Sequence, residues 1–144
     1  MLAALAVAGC GDDKPSRDEF AAAAERVCAD LEKQSDELSR DEPDTVREIV
    51  AFTQRARRTA EDAVKRIRDL EAPDGEDGEK ARQWQDAVEA EADEQLLPAL
   101  DDLRKAAEAN DEQAILEAAQ RIEGIEATES DRLAREIGAE GCAD

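Results

Sequence analysis

Histidine and tyrosine are both missing from this chain of 144 residues, and its aromatic complement is one Trp and two Phe. Without histidine no Ser-His-Asp or Cys-His nucleophile system can be assembled, nor a His-liganded zinc or haem site. Carboxylate-bridged di-iron bundles need a Glu-x-x-His pair and are excluded on the same ground. Few aromatic and β-branched residues leave little material for strands. Basic residues are the minority, 19 Lys and Arg against 39 Asp and Glu, for a formal net charge of −20. Such a surface repels phosphate backbones, so nucleic acid is not an expected partner. No apolar run approaches the roughly 18–20 residues that a membrane-spanning helix requires. These absences predict a protein that is not an enzyme and holds no cofactor.

What is present favours helix. Ala, Glu, Asp, Arg and Leu dominate, 40% of residues are charged, and the 41% that are hydrophobic fall in stripes. The length suits one domain with a real but Ala-rich core. Ser16 followed by Glu19 is a capping box, and Phe20, Ala24, Val27, Leu31 and Leu38 continue at helical spacing to about Arg40. Pro43 interrupts the pattern, and Asp44 can cap a second helix running to about Glu71. The APDGEDG stretch at 72–78 breaks the chain again. A third helix carries Ala81, Trp84, Val88, Leu96, Leu100 and Leu103 to about Asn110, with a kink or interruption expected at Pro98. Asp111 caps a fourth, with Ile115, Ala118, Ile122, Leu133 and Ile137 on one face. Gly124 and the TES run at 128–130 weaken its middle, and Gly138 ends it. The expected fold is all-α, an up-down-up-down four-helix bundle without internal repeats.

The N-terminus reads as an address. Leu2 to Ala8 is apolar, and Val7-Ala8-Gly9-Cys10 resembles the lipobox of bacterial lipoproteins. Polarity switches at once to Gly11-Asp12-Asp13-Lys14. The resemblance implies a signal peptide at 1–9, lipidation of Cys10 and a tether at 10–15 ahead of a helical domain at 16–144. No Lys or Arg precedes Cys10, although signal peptides begin with positive charge, so the natural start is expected upstream of Met1. Six residues from Cys10 to Ser16 reach at most about 20 Å, which keeps the domain close to the membrane.

With Cys10 assigned to lipid, Cys28 and Cys142 remain. In an oxidising compartment a disulfide is the expected state, with a dithiol metal site or two free thiols as the alternatives. Cys28 lies inside the first helix and Cys142 beyond the fourth, so the tail must fold back or the helices must be staggered; Gly138 and Gly141 would permit the fold-back. The VCADLE segment around Cys28 and the REIGAEGCAD segment around Cys142 resemble a group of small exported actinobacterial proteins. That group is largely uncharacterised, and the resemblance transfers no functional residue.

Candidate chemistry is sparse. The acidic run Asp74 to Glu79 invites calcium, but the twelfth position of an EF-hand register would be Gln85, so a solvated loop is expected. Glu89 and Asp93 share a helix face and could hold a cation together. The second helix gathers basic residues, and Arg55, Arg58, Lys65 and Arg66 form the best candidate partner-binding patch, although Glu61–Lys65 and Asp62–Arg66 are expected to neutralise it in part. Trp84, Phe20 and Phe52 are expected in the core. The function that fits is a membrane-anchored, non-enzymatic interaction or structural module facing a membrane-proximal protein. The alternative is an extracytoplasmic ligand or divalent-cation binder.

Overall fold

The computed structural model describes residues 14–41 and 43–143. The expected signal peptide, Cys10 and the tether as far as residue 13 lie outside them. Helix α1 (Arg17–Arg40) starts as the sequence predicts. The Ser16 amide donates to Glu19 Oε2 at 2.8 Å, and the Glu19 amide donates back to Ser16 Oγ at 3.3 Å. Helix α2 (Val46–Arg68) is capped by Thr45 rather than Asp44, because Thr45 and Glu48 form a second reciprocal box. Both capping glutamates are held below the usual carboxylate range. Glu19 owes this to bonds from the Ser16 amide and hydroxyl, and Glu48 to the Thr45 hydroxyl and the Asp44 amide.

Helix α3 (Gly75–Glu91) begins inside the acidic run, with Gly75 in the left-handed region at φ 68°. Gly78 packs so tightly that a Cβ there would lie 2.0 Å from the Pro73 carbonyl oxygen. The helix passes without a break through a π-helical turn (Ala92–Leu96) into α4 (Leu97–Glu108). Pro98 therefore does not stop the rod. The five residues Ala92–Leu96 widen, so that the Leu97 amide bonds to Ala92 O, five residues back. The fourth rod is split, as the weak middle suggests, into α5 (Glu112–Glu123) and α6 (Thr128–Ile137). Asn110, at φ 54°, turns the chain between α4 and α5. No strand occurs among the described residues. The arrangement is an all-α, up-down-up-down bundle: α1 packs on α2, α2 on α4, α4 on α5, and α3 on α6.

The main core lies at the end where α1 starts and α6 finishes. Phe20 and Trp84 meet edge to face with centroids 6.0 Å apart, surrounded by Val27, Ile67, Leu133 and Ile137. Elsewhere the helices touch mainly through buried alanines, as at Ala60, Ala63, Ala99 and Ala107. Phe52, expected in the core, is only half-buried.

Two polar side chains on α3 finish the ends of other helices. Gln85, buried, donates through Nε2 to the Ile67 and Leu70 carbonyls at 2.7 and 3.0 Å, satisfying the C-terminal end of α2. Glu91 accepts from the Ser130 amide at 3.1 Å and from its hydroxyl, at the N-terminus of α6. No α6 residue supplies a side-chain cap of its own, so Glu91 acts as the cap from across the bundle.

The C-terminal tail folds back along α1. Gly138 takes φ 84°, and the Ala139 amide reaches Ala134 O at 2.9 Å, which closes a Schellman turn. Arg17 Nη2 donates to Glu136 O at 3.0 Å, and the Gly141 amide donates to Glu25 Oε1 at 3.2 Å. A short 3₁₀ turn (Glu140–Cys142) then brings Cys142 to Cys28 in a disulfide with a Cα–Cα distance of 5.4 Å.

Glu91→Ala is expected to destabilise by about 1–3 kcal/mol, since it leaves the Ser130 donors and the α6 N-terminus without their acceptor. Ser16→Ala removes a local cap and should cost about 1 kcal/mol. Urea unfolding followed by Trp84 fluorescence measures both, and a Glu91→Ala value no larger than that of an exposed α5 glutamate such as Glu117→Ala would contradict the assignment.

Candidate functional site

The basic residues that stand out in the sequence lie on one face of α2, each with its own surroundings. Arg55, Arg58, Lys65 and Arg66 fall within about 100° of one another around the helix. Arg66 pairs with Asp30 of α1 at 2.7 Å, and Arg55 with Asp41 at 3.2 Å. Lys65 pairs with Asp69 at 2.6 Å, and Arg57 takes Glu61 at 2.8 Å. The expected Glu61–Lys65 and Asp62–Arg66 pairs are thus replaced by others. The physical reason is competition: Asp30 on the neighbouring helix and Asp69 at the end of α2 offer carboxylates of equal reach. Arg58, exposed, makes no ion pair among the described residues. Exposed pairs of this kind contribute roughly 0–1 kcal/mol each, so the basic side chains remain exchangeable with an incoming carboxylate.

Beside these residues, and sharing Lys65 with them, a groove of about 490 Å³ runs between α2, the end of α3 and the π-helical turn. Val64 and Leu97 give it apolar wall, while Glu61, Lys65, Arg68, Asp69, Glu89 and Asp93 line its edges. Glu89 is engaged by Arg68, so it does not stand with Asp93 as a free carboxylate pair. Sequence spacing alone pointed to Glu89 and Asp93 but missed Arg68, which reaches Glu89 only through the antiparallel packing of α2 on α3. A smaller hollow of about 270 Å³ between α2 and α4 is lined by Thr53, Gln54, Arg57, Leu100, Asp101 and Arg104. There Lys105 and Arg104 both donate to Asp101 and hold its carboxyl at about 2.

The carboxylates of 74–79 are strung along the first turn of α3 instead of around a curved loop, and Glu76 pairs with Lys80 at 3.0 Å. Among the described residues no three acidic or cysteine side chains are placed to share a metal ion, and no helix is long and apolar enough to cross a membrane. Trp84 is 1% exposed and belongs to the core, so it offers no surface anchor. Chemically, both hollows are open, mixed-charge clefts suited to polar contacts.

No family model, curated protein or solved structure matches the chain.

Because Asp101 titrates lower in the folded chain than in the unfolded one, its stabilising contribution is complete above about pH 4 and fades as pH falls through about 2. Carboxyl ¹³C titration should place its midpoint near 2, and Lys105→Ala should move it upward. A midpoint in the ordinary Asp range in the parent chain would show that the Lys105 and Arg104 contacts do not persist in solution.

Proposed function

We propose that this is an exported lipoprotein, held to the membrane through Cys10, whose helical domain is a non-enzymatic interaction module for a membrane-proximal protein. The observation that carries the reading is the Cys28–Cys142 disulfide, because such bonds persist in oxidising compartments and are kept reduced in the cytosol. It agrees with the lipobox-like Val7-Ala8-Gly9-Cys10 and leaves Cys10 as the odd thiol available for lipid. On the same grounds we place the chain with the small exported actinobacterial lipoproteins that its cysteine segments resemble.

The bundle is well arranged for such a role. The start of α1 and the end of α6 meet where Arg17 bonds to Glu136, so a Cys10 anchor would hold that end toward the bilayer. The α1–α2 turn would then stand about 36 Å away, the length of a 24-residue helix, with the α4–α5 turn also at that far end. The loosely paired basic side chains of α2, with Arg58 foremost, offer an acidic partner a contact area on an otherwise acidic body. A second reading, an extracytoplasmic binder of a small polar ligand or divalent cation, is favoured by one observation, the groove beside the π-helical turn.

Intact mass of protein extracted from native membranes is expected to show lipid on Cys10, and Cys10→Ser should release the chain to the soluble fraction. A soluble, unmodified parent chain would refute the anchor. In-cell crosslinking should trap one stoichiometric partner through Lys65, with Arg58→Glu weakening the yield severalfold. Without such a partner, saturable calorimetric binding abolished by Asp93→Ala would establish the second reading.

A further inference from the structure

The disulfide does more than join the two ends of the domain. It fixes the tail to the middle of α1, while α6, on the other side of that tail, is joined to the rest only by the non-helical linker at 124–127. α6 has 10 residues, places two large apolar side chains in the core, Leu133 and Ile137, and borrows its N-cap from Glu91. The tail adds Ala139, fully buried, Cys142 and Ala143 packed against the core, and a bond from the Gly141 amide to Glu25. With the disulfide intact, any excursion of α6 must form a closed loop of roughly 18 residues, from Gly124 to Cys142, which confines it strongly. With the disulfide broken, that restriction disappears, and α6 becomes a short helix at a free chain end. A short terminal helix packed chiefly on one neighbour, here α3, opens before rods packed on several.

We infer that α6 and the tail form a thiol-controlled latch over the cleft between α1 and α3. A dithiol reductant supplies the change. Its thiolate attacks one sulfur of the Cys28–Cys142 bond, giving a mixed disulfide and a cysteine thiolate. Its second thiol, as thiolate, displaces the remaining cysteine. Two electrons pass to the protein, the reductant leaves as its own disulfide, and its two protons end on Cys28 and Cys142. Release of α6 and the tail bares the face of α3 around Ala81 and Trp84 on which α6 packs, and the face of α1 around Ala21 and Cys28 on which the tail lies. Helices α1, α2, α4 and α5 keep their mutual packing, because α1–α2, α2–α4 and α4–α5 contacts do not pass through α6, whereas α3 loses its main packing partner. The inference rests on the disulfide and the packing, and holds whether or not Cys10 carries lipid.

Hydrogen exchange of the full chain, with Cys10 blocked by alkylation, tests it before and after reduction by a dithiol. Amides of α6 and the tail are expected to accelerate on reduction about 100-fold more than those of α2 and α4, which share only the general loss of stability that follows removal of the bridge. The double variant Cys28→Ser with Cys142→Ser should reproduce this pattern without reductant, and adding Glu91→Gln should speed α6 further. Equal acceleration in all helices would overturn the latch, since the bond would then stabilise the bundle as a whole. Unchanged α6 protection in the double variant would overturn it as well.

Discussion

Alanine at the helix crossings lets the rods of this bundle approach closely, but each buried methyl group contributes little. At roughly 25 cal/mol per Å² of apolar surface, an alanine-lined interface is a weak adhesive beside one lined by leucine. The large apolar side chains are concentrated at one end, around Phe20 and Trp84. The other devices compensate for that thinness. Two capping boxes fix the starts of α1 and α2, Gln85 and Glu91 finish helices they do not belong to, and a disulfide spanning 114 residues restricts the unfolded chain. In the chain-entropy account a bridge of that span stabilises by about 4–5 kcal/mol, a large share of the total for a small domain.

Local signals were legible in the sequence, and long-range ones were not. Ser16 with Glu19, the weak middle of the fourth rod and the stop at Gly138 all act within a few residues, and the structure follows them. Thr45 outcompeted Asp44 because its partner Glu48 lies three residues on, a signal present in the sequence that the nearer aspartate obscured. The start of α3 at Gly75 went unread because glycines and acids look like loop, yet acids suit a first helical turn, where the backbone amides are unpaired. The roles of Gln85 and Glu91 depend on which helices lie beside α3, and no spacing along one helix contains that information.

The candidate surface shows the same division. Charge excess on α2 was visible in the composition of one helix, but the partners were not, because Asp30, Asp41 and Glu89 arrive from other elements. On a chain with twice as many acids as bases, every arginine has several carboxylates within reach. Which one it takes is decided by packing, so a basic stripe read from sequence marks where cations are, and says little about how many remain unengaged. The cysteines were easier, since two thiols left after Cys10 have few ways to pair.

The π-helical turn between α3 and α4 acts as a phase shifter. Each residue inserted into a helix rotates everything after it by about 100°. One wide turn therefore lets a single rod present one stripe to α6 along its first half, and a differently oriented stripe to α2 and α5 along its second. The two halves of that rod are consequently aimed parts rather than interchangeable lengths of helix. Sequence drift here is constrained in register as well as in polarity: a chain that lost one residue between Ala92 and Leu96 would keep its hydrophobic content and lose the alignment of Leu100 and Leu103 with their neighbours.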